Sequence, residues 1–503
     1  MPPRLPSSTP FAPVYTVDQI RRIERDAQSA KPVPPLMERA GLVAAEYARK
    51  LLSDRSRDVL VLAGPGNNGG DAFEAATHLR KWFFRVAVIF TGDPEKLSDD
   101  ARAALAKWNA AGGTWRTDLP AESRPDLIID GLFGIGLARA LDDRHAALVE
   151  AVNRMHAPVL ALDVPSGLNA DTGAVLGCAI RATHTLTFIA CKPGLLTLDG
   201  PDCCGELAVD TLGLDVAALL PPDIHRIDRS VVAALPLKRP RNFHKGSAGA
   251  VAVLGGADGM VGAALLAGRA ALKCGAGKVF LGMLATSPPA VDWMQPELMF
   301  RATDSLVDGS EAVDVLALGP GMGRAPNAAA LLARALSSDR AAVLDADALN
   351  LVATTPALCK ALAARKSATI LTPHPAEAAR LLDCDTADVQ RDRLSSARRL
   401  AAEFACLVVL KGNGSICAAP DGRAWINDSG NPGMAAAGMG DVLTGMIASF
   451  LAQGAATETA LIASVWLHGA AADVLADTAG PIGITAGEIP DAARRLLGTH
   501  AAN

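Results

Sequence analysis

The feature that most constrains the fold is a repeated alternation of short apolar runs with longer, Ala-rich stretches of helical character. Strands and helices that alternate in this way are typical of α/β domains with largely parallel sheets. Between the first two apolar runs, a predicted helix places Phe73, Ala76 and Leu79 on one face. In the first half of the chain, predicted strands begin at Asp58, Arg85, Asp126, Pro158 and His184.

The alternation is interrupted once, near the middle of the chain. Prolines cluster between Leu219 and Asn242 and the apolar period is lost, which predicts a domain boundary. A hairpin is then expected around the turn at Asp421, and two apolar helices are expected from about Gly440 and Thr457. In the second half, predicted strands begin at Ala248, Lys278, Val313, Ala341, Ala368 and Cys406.

These patterns predict two independent α/β domains joined by a Pro-rich linker. A chain of 503 residues has room for them, since domains usually hold roughly 100–200 residues. The first residues are rich in Pro and Ser and lack the apolar core of a signal peptide. The expected organisation is a disordered tail at 1–13, a first domain at 14–222, a linker at 223–240 and a second domain at 241–503.

Charge and cysteine content exclude several classes of function. A net charge of −5, with no polybasic run, argues against nucleic-acid binding. The nine cysteines form no CxxC pair and no zinc-like spacing, so we expect reduced thiols in the cytoplasm. No uninterrupted apolar run reaches about 18 residues, so no membrane span is expected.

The stretch AGPGNNGGDA combines a glycine fingerprint with polar side chains. Gly64, Gly66 and Gly69 have the G-x-G-x-x-G spacing of a dinucleotide-binding turn. A strand ends there and a helix begins, so free N–H groups and a positive dipole face the loop. A plain turn needs neither the amides of Asn67 and Asn68 nor the carboxylate of Asp71, which together suggest a ligand or a hard cation.

Two further polar loops follow predicted strands and are expected at the same edge of the sheet. One contains Asp130, Gly131, Gly134 and Gly136, and the other contains Asp163 and Ser166. Ligands of open α/β sheets bind beyond the carboxyl ends of the strands, so these loops predict a shared site. Lys192 follows the next strand, and an Asp and a Lys beside one ligand suit proton transfer.

The motifs AGPGNNGGDA, IIDGLFGIGL, ALDVPSGLNADTG and CKPGLL resemble the NAD(P)H-hydrate epimerase domain over about Val14 to Asp210. That family interconverts the R and S hydrates of NADH and NADPH on a Rossmann-like three-layer sandwich. The resemblance implies that Asp163 and Lys192 handle protons and that Asn68, Asp130 and Ser166 bind K⁺. It implies substrate contacts at Asn67, Asn68, Gly69, Gly70, Asp71, Gly134, Ile135, Gly136, Leu137, Ala138, Arg139, Ala140 and Asp163.

The second half carries a different set of loops. The sharpest is GNPGMAAAGMGDVLTG, in which Asp441 opens an apolar helix. The N–H groups at that helix start suit a transferring phosphoryl group, and the carboxylate could deprotonate a substrate hydroxyl. The segment from Lys411 to Ser415 can hold nucleotide phosphates, and His374 ends a strand where a ligand is already expected.

These motifs, with HKGSAG, LGPGMG, DADALN and TPHPAE, resemble the NAD(P)H-hydrate dehydratase domain over about Ile227 to Leu497. That family has a ribokinase-like α/β fold and uses ADP with Mg²⁺ to phosphorylate the S hydrate, after which phosphate leaves. Ala376 stands where the family usually has Gly, which we expect to matter little. The resemblance implies hydrate contacts at Ala263, Gly323, His374 and Asp441, the last as base, and nucleotide contacts at Lys411, Gly412, Asn413, Gly414, Ser415 and Gly440.

Two alternatives remain at this point. A small-molecule kinase fused to a nicotinamide-dependent oxidoreductase would need an acidic residue about 20 positions after the fingerprint, and Asp93 is near that place. The first half shows no obvious hydride-transfer histidine, which argues against it. A non-catalytic nucleotide-binding module is the other alternative, and the presence of both Asp163 and Lys192 argues against that. The partners expected are small nucleotides and further copies of the chain.

Overall fold

The computed structural model describes residues 12–29, 33–53, 57–120 and 122–501. The chain divides into two compact units, one consisting mainly of Pro13–Ile224 and the other mainly of His225–Asn503. A short strand, β1 (Ala12–Val14), precedes the first helix. The tail predicted at 1–13 lies outside the described residues up to position 11.

The first unit alternates strands with helices, as predicted. Its strands are β2 (Asp58–Ala63), β3 (Arg85–Phe90), β4 (Trp115–Arg116), β5 (Leu127–Gly131), β6 (Val159–Leu162), β7 (His184–Phe188) and β8 (Glu206–Asp210). Its helices are α1 (Val17–Ser29), α2 (Leu36–Leu51), α3 (Asn67–Lys81), α4 (Asp99–Ala110), α5 (Asp143–Asn153), α6 (Gly200–Cys204) and α7 (Val216–Leu219).

The strands of this unit form one parallel sheet in the order β4-β3-β2-β5-β6-β7-β8. Alternate side chains of β2 pack into two separate hydrophobic cores, one on each face of the sheet. Val59 and Val61 belong to one core, and Leu60 and Leu62 belong to the other. The sheet is therefore covered on both faces, which makes the predicted three-layer sandwich. The strand order reverses between β2 and β5, and such a switch point opens a crevice for a ligand.

The second unit has a larger sheet and more helices. Its strands are β9 (Ile224–Ile227), β10 (Ala250–Gly255), β11 (Lys278–Met283), β12 (Met299–Phe300), β13 (Val315–Leu318), β14 (Ala341–Leu344), β15 (Thr369–Leu371), β16 (Leu407–Leu410), β17 (Ile416–Ala418) and β18 (Ala424–Asn427). Its helices are α8 (Val261–Lys273), α9 (Thr303–Val307), α10 (Pro326–Leu336), α11 (Ala346–Thr354), α12 (Pro356–Ala363), α13 (Pro375–Leu381), α14 (Thr386–Arg391), α15 (Arg393–Glu403), α16 (Met439–Ala452), α17 (Thr457–Ala479) and α18 (Ile489–Ala501).

From β9 onward, the order of these strands is β9-β18-β17-β16-β15-β14-β13-β10-β11-β12. Strands β10 to β16 pair in parallel, and β16, β17 and β18 pair antiparallel, so the predicted hairpin is confirmed. The carboxyl ends of β10, β13, β14, β15 and β16 lie along one edge. The loops after these strands carry most of the residues singled out from the sequence.

The segment predicted as a linker, 223–240, has regular structure of its own. It contains β9 and a 3₁₀ helix at Arg229–Ala234. Ile227 and Val232 are fully buried in the core of the second unit. Apolar side chains between the prolines therefore fold back onto the unit that follows them.

Helix α17 is the one helix in the described part of the chain that meets the length and composition of a membrane span. In the structure, 61% of its most apolar window is buried within the fold. Leu461 and Leu467 have no exposed surface and pack in the core. Core helices meet the same two criteria, so the helix is weak evidence for a membrane span.

Candidate active sites

The turn after β2 shows that the three glycines of the fingerprint have different roles. A Cβ at Gly64 would lie 1.7 Å from the carbonyl oxygen of Leu132, and a Cβ at Gly69 would lie 2.0 Å from that of Gly64. Nothing lies within 4 Å of a Cβ at Gly66. Gly64 therefore permits close packing between the loops after β2 and β5, and Gly69 permits the tight turn itself, while Gly66 faces open space.

A cavity of about 450 Å³ lies at this switch point. Asp163 and Lys192 reach it from the ends of β6 and β7, and α1 and α2 close it with Glu24 and Met37. The sequence-predicted residues that line it are Asn67, Asn68, Asp71, Gly134, Ile135, Gly136, Leu137, Asp163 and Lys192. The structure therefore brings the three predicted loops and the lysine together around one space.

Five of the substrate contacts predicted from the resemblance do not line this cavity. Gly69 and Gly70 face inward within α3, where a Cβ at Gly70 would lie 2.6 Å from the Met37 sulfur. Ala138, Arg139 and Ala140 lie on the segment between the cavity and α5. The two glycines allow α3 to pack closely against the turn after β2 and against Met37 of α2.

Asp163 and Lys192 form a buried ion pair beside the cavity. The ammonium group of Lys192 has no exposed surface and donates to a carboxylate oxygen of Asp163, to Thr187 Oγ1 at 2.8 Å and to the Phe188 carbonyl at 2.8 Å. These hydrogen-bond acceptors come from β7 and from the turn after β6. Lys192 is fixed in place, and the free carboxylate oxygen of Asp163 remains available to a ligand.

The backbone of Asp163 has a left-handed conformation, with φ of 64°. Its N–H donates to the Leu186 carbonyl at 2.8 Å, which fixes this turn at the end of β6. Such a conformation costs an Asp residue about 1 kcal/mol or more and is concentrated at functional sites. The turn directs the side chain into the cavity, where Asp163 Oδ2 would lie 3.3 Å from a Cβ at Gly134.

Two more carboxylates line the same cavity. Burial, followed by the charge of Asp163, raises the pKa of Asp71 well above its usual value. The same two causes raise the pKa of Glu24, although Lys192 partly offsets the shift. These carboxyl groups therefore hold protons more readily than exposed ones, next to a carboxylate paired with lysine.

Asp130 in β5 and Ser166 in the loop after β6 have no exposed surface and lie outside the lining of the cavity. Asp130 accepts hydrogen bonds from Ser166 Oγ at 2.6 Å, the Ser166 N–H at 2.8 Å and the Leu132 N–H at 3.2 Å. Burial raises the pKa of Asp130 to about 6 even though these hydrogen bonds oppose it. A buried carboxylate whose hydrogen bonds come from a hydroxyl and two backbone N–H groups is the kind of group that a bound cation stabilises.

Asn68 supplies the third predicted cation ligand. Its amide nitrogen donates to the Leu162 carbonyl at 3.1 Å, which fixes the orientation of the side chain. Its amide oxygen is buried and has no hydrogen-bond partner among the residues that the structure describes. An orphaned buried oxygen is costly unless something coordinates it. The donor set of Asn68, Asp130 and Ser166 therefore fits a hard cation.

In the second unit, Asp441 lies in the first turn of α16. This helix begins after Gly438, whose φ of 89° needs a glycine. Burial, followed by the charge of Asp345, raises the pKa of Asp441 to about 7, and Lys411 only partly offsets the shift. The carboxyl group is half-buried at a helix start and can accept a proton near neutral pH.

Lys411 reaches the same helix start from the end of β16. Its ammonium group pairs with Asp345 Oδ1 at 2.6 Å. A Cβ at Gly440 would lie 3.0 Å from Lys411 Nζ, which shows how close the lysine comes to α16. Lys411, Gly440 and Asp441 therefore converge, as the sequence predicts for a phosphate site.

The rest of the predicted nucleotide loop, Gly412 to Ser415, follows directly. Ser415 Oγ accepts from the Gly412 N–H at 3.2 Å and donates to the Gly412 carbonyl at 2.9 Å, which closes the loop. Gly412 and Asn413 are exposed, and the Gly414 φ of 62° needs a glycine. Buried Arg393 lies beneath this loop and donates to the Lys411 carbonyl at 3.3 Å.

His374 caps α13 and is thereby fixed as a neutral imidazole. Its Nδ1 accepts from the backbone N–H groups of Ala376 and Glu377, so the proton lies on Nε2. Burial, followed by the charge of Lys411, lowers its pKa. Ala376 is an ordinary helical residue, so the substitution for glycine introduces no strain.

The two remaining predicted hydrate contacts lie at the ends of β10 and β13. Ala263 is in the first turn of α8, and its Cβ would lie 3.2 Å from a Cβ at Gly321. The N–H of Gly323 donates to Asp347 Oδ2 at 2.9 Å. At the ends of β10 and β13, the edge of the sheet is thus bordered by small residues and by a glycine-rich loop that Asp347 holds in place.

Some residues at the two sites are absent from the sequence-based assignment. Glu24 and Met37 come from helices with no recognisable motif, so no signal in the sequence would have identified them. Asp345 and Thr444 lie within the motifs DADALN and GNPGMAAAGMGDVLTG. The contacts of Asp345 with Lys411 and with Thr444 depend on chain segments far apart in sequence.

The folds and sites define a class of protein: a Rossmann-like unit with a buried Asp–Lys ion pair at its cavity, fused to an α/β unit in which a lysine meets a glycine-rich helix start. Residues 34–194 match the family model described as YjeF-related protein N-terminus. Residues 251–495 match the model described as NAD(P)H-hydrate dehydratase. Both matches fall on the segments whose motifs resemble these families.

Several known proteins are similar to the chain. A bifunctional NAD(P)H-hydrate repair enzyme of Escherichia coli (strain K12) is 38% identical over 98% of this chain and 95% of its own length. One of Moorella thermoacetica is 37% identical over 95% of each chain. A solved ribokinase-like superfamily protein from Enterococcus faecalis V583 is 25% identical over 56% of this chain and 98% of its own, with a TM-score of 0.50.

The chain belongs to the family of bifunctional NAD(P)H-hydrate repair enzymes. It therefore combines an epimerase unit with a dehydratase unit. The predicted fold class, with its ribokinase-like second unit, and the predicted bifunctional repair activity are both confirmed.

Proposed function

We propose that Asp163 with Lys192 performs the epimerisation, and that Asp441 with the Lys411 loop performs the nucleotide-dependent dehydration. The observation that carries this proposal is that each unit holds a buried lysine–aspartate ion pair at the carboxyl edge of its sheet. In the first unit the pair is Lys192 with Asp163. In the second it is Lys411 with Asp345, and the charges of both act on Asp441. The epimerase supplies the epimer that the dehydratase consumes, so one chain repairs both hydrates.

The first reaction requires a proton donor and a proton acceptor at one carbon of the reduced nicotinamide ring. Its hydroxyl leaves as water after accepting a proton, and the ring nitrogen's electron pair stabilises the cation that remains. Water returns to the opposite face and gives up a proton, which yields the other epimer. Asp163 accepts or returns the proton, and buried Lys192 keeps that carboxylate oriented and stabilises its charge.

The second reaction begins with deprotonation of the hydrate's hydroxyl by Asp441. The oxygen attacks the terminal phosphoryl group of ADP, and AMP leaves. The C–O bond of the phosphorylated hydrate then breaks, phosphate departs with the electron pair, and a proton lost from the neighbouring carbon gives the ring double bond of NADH or NADPH. Lys411 and the N–H groups at the start of α16 stabilise the phosphoryl charge.

ADP is the proposed co-substrate, and Mg²⁺ is proposed to enter with the nucleotide. Mg²⁺ at such sites is held largely by phosphate oxygens and water, with one or two protein carboxylates. The described residues contain no group of three or more His, Cys, Asp and Glu side chains placed to hold a metal ion. The loop from Lys411 to Ser415 is proposed to bind the nucleotide itself.

K⁺ is the proposed cation of the epimerase site, held by Asn68, Asp130 and Ser166. Two observations support this proposal. The buried amide oxygen of Asn68 has no hydrogen-bond partner among the described residues, and burial raises the pKa of Asp130 although its hydrogen bonds lower it. The ion would balance the charge of Asp130 and order the loops that carry Asn68 and Ser166. Oxygen ligands fit a hard cation, and the family resemblance selects potassium among such ions.

Potassium should therefore stabilise the first unit. Raising KCl at constant ionic strength, with a bulky organic cation as the replacement, should raise the Tm of that unit at pH 8 by mass action. The increment should disappear below about pH 5, since Asp130, with a pKa of about 6, is then protonated. Asn68→Ala should remove the increment, whereas the neighbouring Asn67→Ala should retain it. An increment equal in both variants would contradict the site.

The protein is proposed to act in the cytoplasm as a homo-oligomer, on small nucleotides and with neither nucleic acid nor membrane as a partner. The support for the compartment is that all nine cysteines, which lie within the described residues, are free thiols.

Trp293 and Met294 expose 88% and 78% of their surface in one loop, which suits contact with another copy. Light scattering would measure the assembly.

The bifunctional proposal is tested with a mixture of R and S hydrates of NADPH, ADP and Mg²⁺, followed by the absorbance of the reduced nicotinamide. Both epimers should be recovered. The S hydrate should be consumed first, and the R hydrate should follow at the rate of epimerisation. A lack of nucleotide-dependent recovery would contradict the assignment of the second unit.

A further inference from the structure

We propose that Asp345 is a positioning residue of the dehydratase site, a fixed buried anion that acts through Lys411 and through space to keep Asp441 an effective base. The inference rests on the proposed role of Asp441 and concerns a residue to which the resemblance assigns no part. It starts from the way Asp345 is held.

Asp345 is immobilised at both backbone and side chain. Its N–H donates to the Leu318 carbonyl at 3.0 Å, and its own carbonyl lies 1.8 Å from a Cβ placed at Gly319. Its carboxylate accepts from Lys411 at 2.6 Å and from Thr444 Oγ1 at 2.9 Å, and only 1% of the residue is exposed. The negative charge therefore has one fixed position between the ends of β14 and β16.

That position faces the helix turn that carries the base. Thr444 lies three residues after Asp441, so the two share a face of α16. A Cβ at Gly440 would lie 3.3 Å from Asp345 Oδ2 and 3.0 Å from Lys411 Nζ. Both charges of the ion pair are thus directly beside the residue that precedes Asp441.

Several titratable groups surround Asp441. The charges that act on it are Asp345 and Asp347 from α11 and its cap, Glu377 from α13, and Lys411 from the end of β16. Two histidines lie on neighbouring elements: burial and Lys411 lower the pKa of His374, and lower that of His468 to about 4, so both are uncharged at neutral pH. Among the anions, Asp345 has the largest effect on Asp441.

The ion pair keeps its charges while Asp441 titrates. Burial favours the neutral form of Asp345, but Lys411 and the hydrogen bonds outweigh it and lower the pKa of Asp345. Burial likewise opposes the charge of Lys411, but Asp345 and Glu377 raise the pKa of the lysine above its usual value. Asp345 therefore remains an anion that opposes ionisation of Asp441, and Lys411 remains a cation that limits this opposition.

The test is the pH dependence of kcat/KM for the dehydratase, with each enzyme normalised to its own plateau. The wild-type rate should rise through about pH 7 as Asp441 ionises. Asp345→Asn should move this acid limb to lower pH by about one unit, since a neighbouring like charge is removed. Lys411→Met should move it to higher pH, because the compensating cation is lost. Ionisation of ADP is common to every enzyme and does not affect these differences.

Thr444→Val is the matched control. It removes one hydrogen bond from Asp345 but keeps the charge, so its acid limb should stay with the wild type. A purely structural role for Asp345 would lower the plateau of Asp345→Asn without moving the limb, and that result would overturn the proposal. If Asp345→Asn does not fold alone, the comparison of Lys411→Met with Asp345→Asn/Lys411→Met decides the matter. The limb of the double variant should lie at lower pH, and coincident limbs would overturn the proposal. Activity retained in Asp441→Asn would instead contradict the proposed base.

Discussion

Replacing Asp441 by Asn is expected to abolish the recovery of NADH and NADPH from their hydrates. The amide fits the same space at the start of α16 but cannot accept the hydroxyl proton, so kcat should fall by about 10³-fold. Epimerisation should continue at the wild-type rate, because the first unit has its own acid and base. The absorbance of reduced nicotinamide measures the first effect, and chromatographic separation of the two hydrates measures the second.

The same substitution should stabilise the second unit. In the folded protein the pKa of Asp441 is about 7, above its value in the unfolded chain, so the carboxyl group destabilises the fold increasingly as pH rises from about 4 to 7. Asn carries no charge to bury, and the free energy of unfolding at pH 8 should rise by about 2 kcal/mol. Asp421→Asn, at the exposed hairpin turn, should change neither quantity. An inactive but destabilised Asp441→Asn would point to misfolding instead of a lost base.

The second large effect is expected at Lys192. Lys192→Met should lower epimerisation by at least about 10²-fold, since the carboxylate of Asp163 loses both its orientation and its countercharge. It should also destabilise the first unit by about 3 kcal/mol, because an unpaired carboxylate remains in a buried site. In the coupled assay, the S hydrate should still be repaired quickly, whereas the R hydrate should be converted only at its uncatalysed rate.

A second substitution separates catalysis from stability at this pair. In Asp163→Asn/Lys192→Met neither member of the pair carries a charge, so the Tm of the first unit should return most of the way to the wild type while epimerisation stays lost. Lys81→Met, an exposed lysine at the end of α3, serves as the control and should match the wild type in both measurements. Epimerisation at the normal rate in Lys192→Met would show that the first site only binds its ligand.

The sequence predicted the elements that carry these residues because strand and loop signals are local. Apolar runs located β2, β5, β6 and β7, and a polar loop follows each of them. In a parallel sheet such loops must share an edge, so the assembly of Asp163 and Lys192 around one cavity followed from the order of the elements. Asp441 was singled out for a different reason, because the glycines around it mark a helix start suited to a phosphoryl group.

Other parts of the sites depend on packing that the sequence does not reveal. Glu24 enters the cavity because α1 packs over it, and α1 has the amphipathic pattern of any surface helix. The segment at 223–240 resembled a linker because prolines dominate it, yet Ile227 and Val232 find partners in a core formed by later residues. The titration of Asp441 depends on Asp345, which is 96 positions away along the chain.

The left-handed turn at Asp163 has a consequence for how this enzyme can change. A backbone in that region accepts Gly, Asn and Asp readily and penalises longer or β-branched side chains. Of the three, Asp alone carries a charge. Glu at this position would also carry a carboxylate, but the left-handed backbone conformation disfavours its longer side chain. The backbone conformation at Asp163 thus limits which substitutions are tolerated. A substitution by Asn removes the carboxylate without backbone strain, whereas a substitution by Glu, which would keep the carboxylate, is disfavoured.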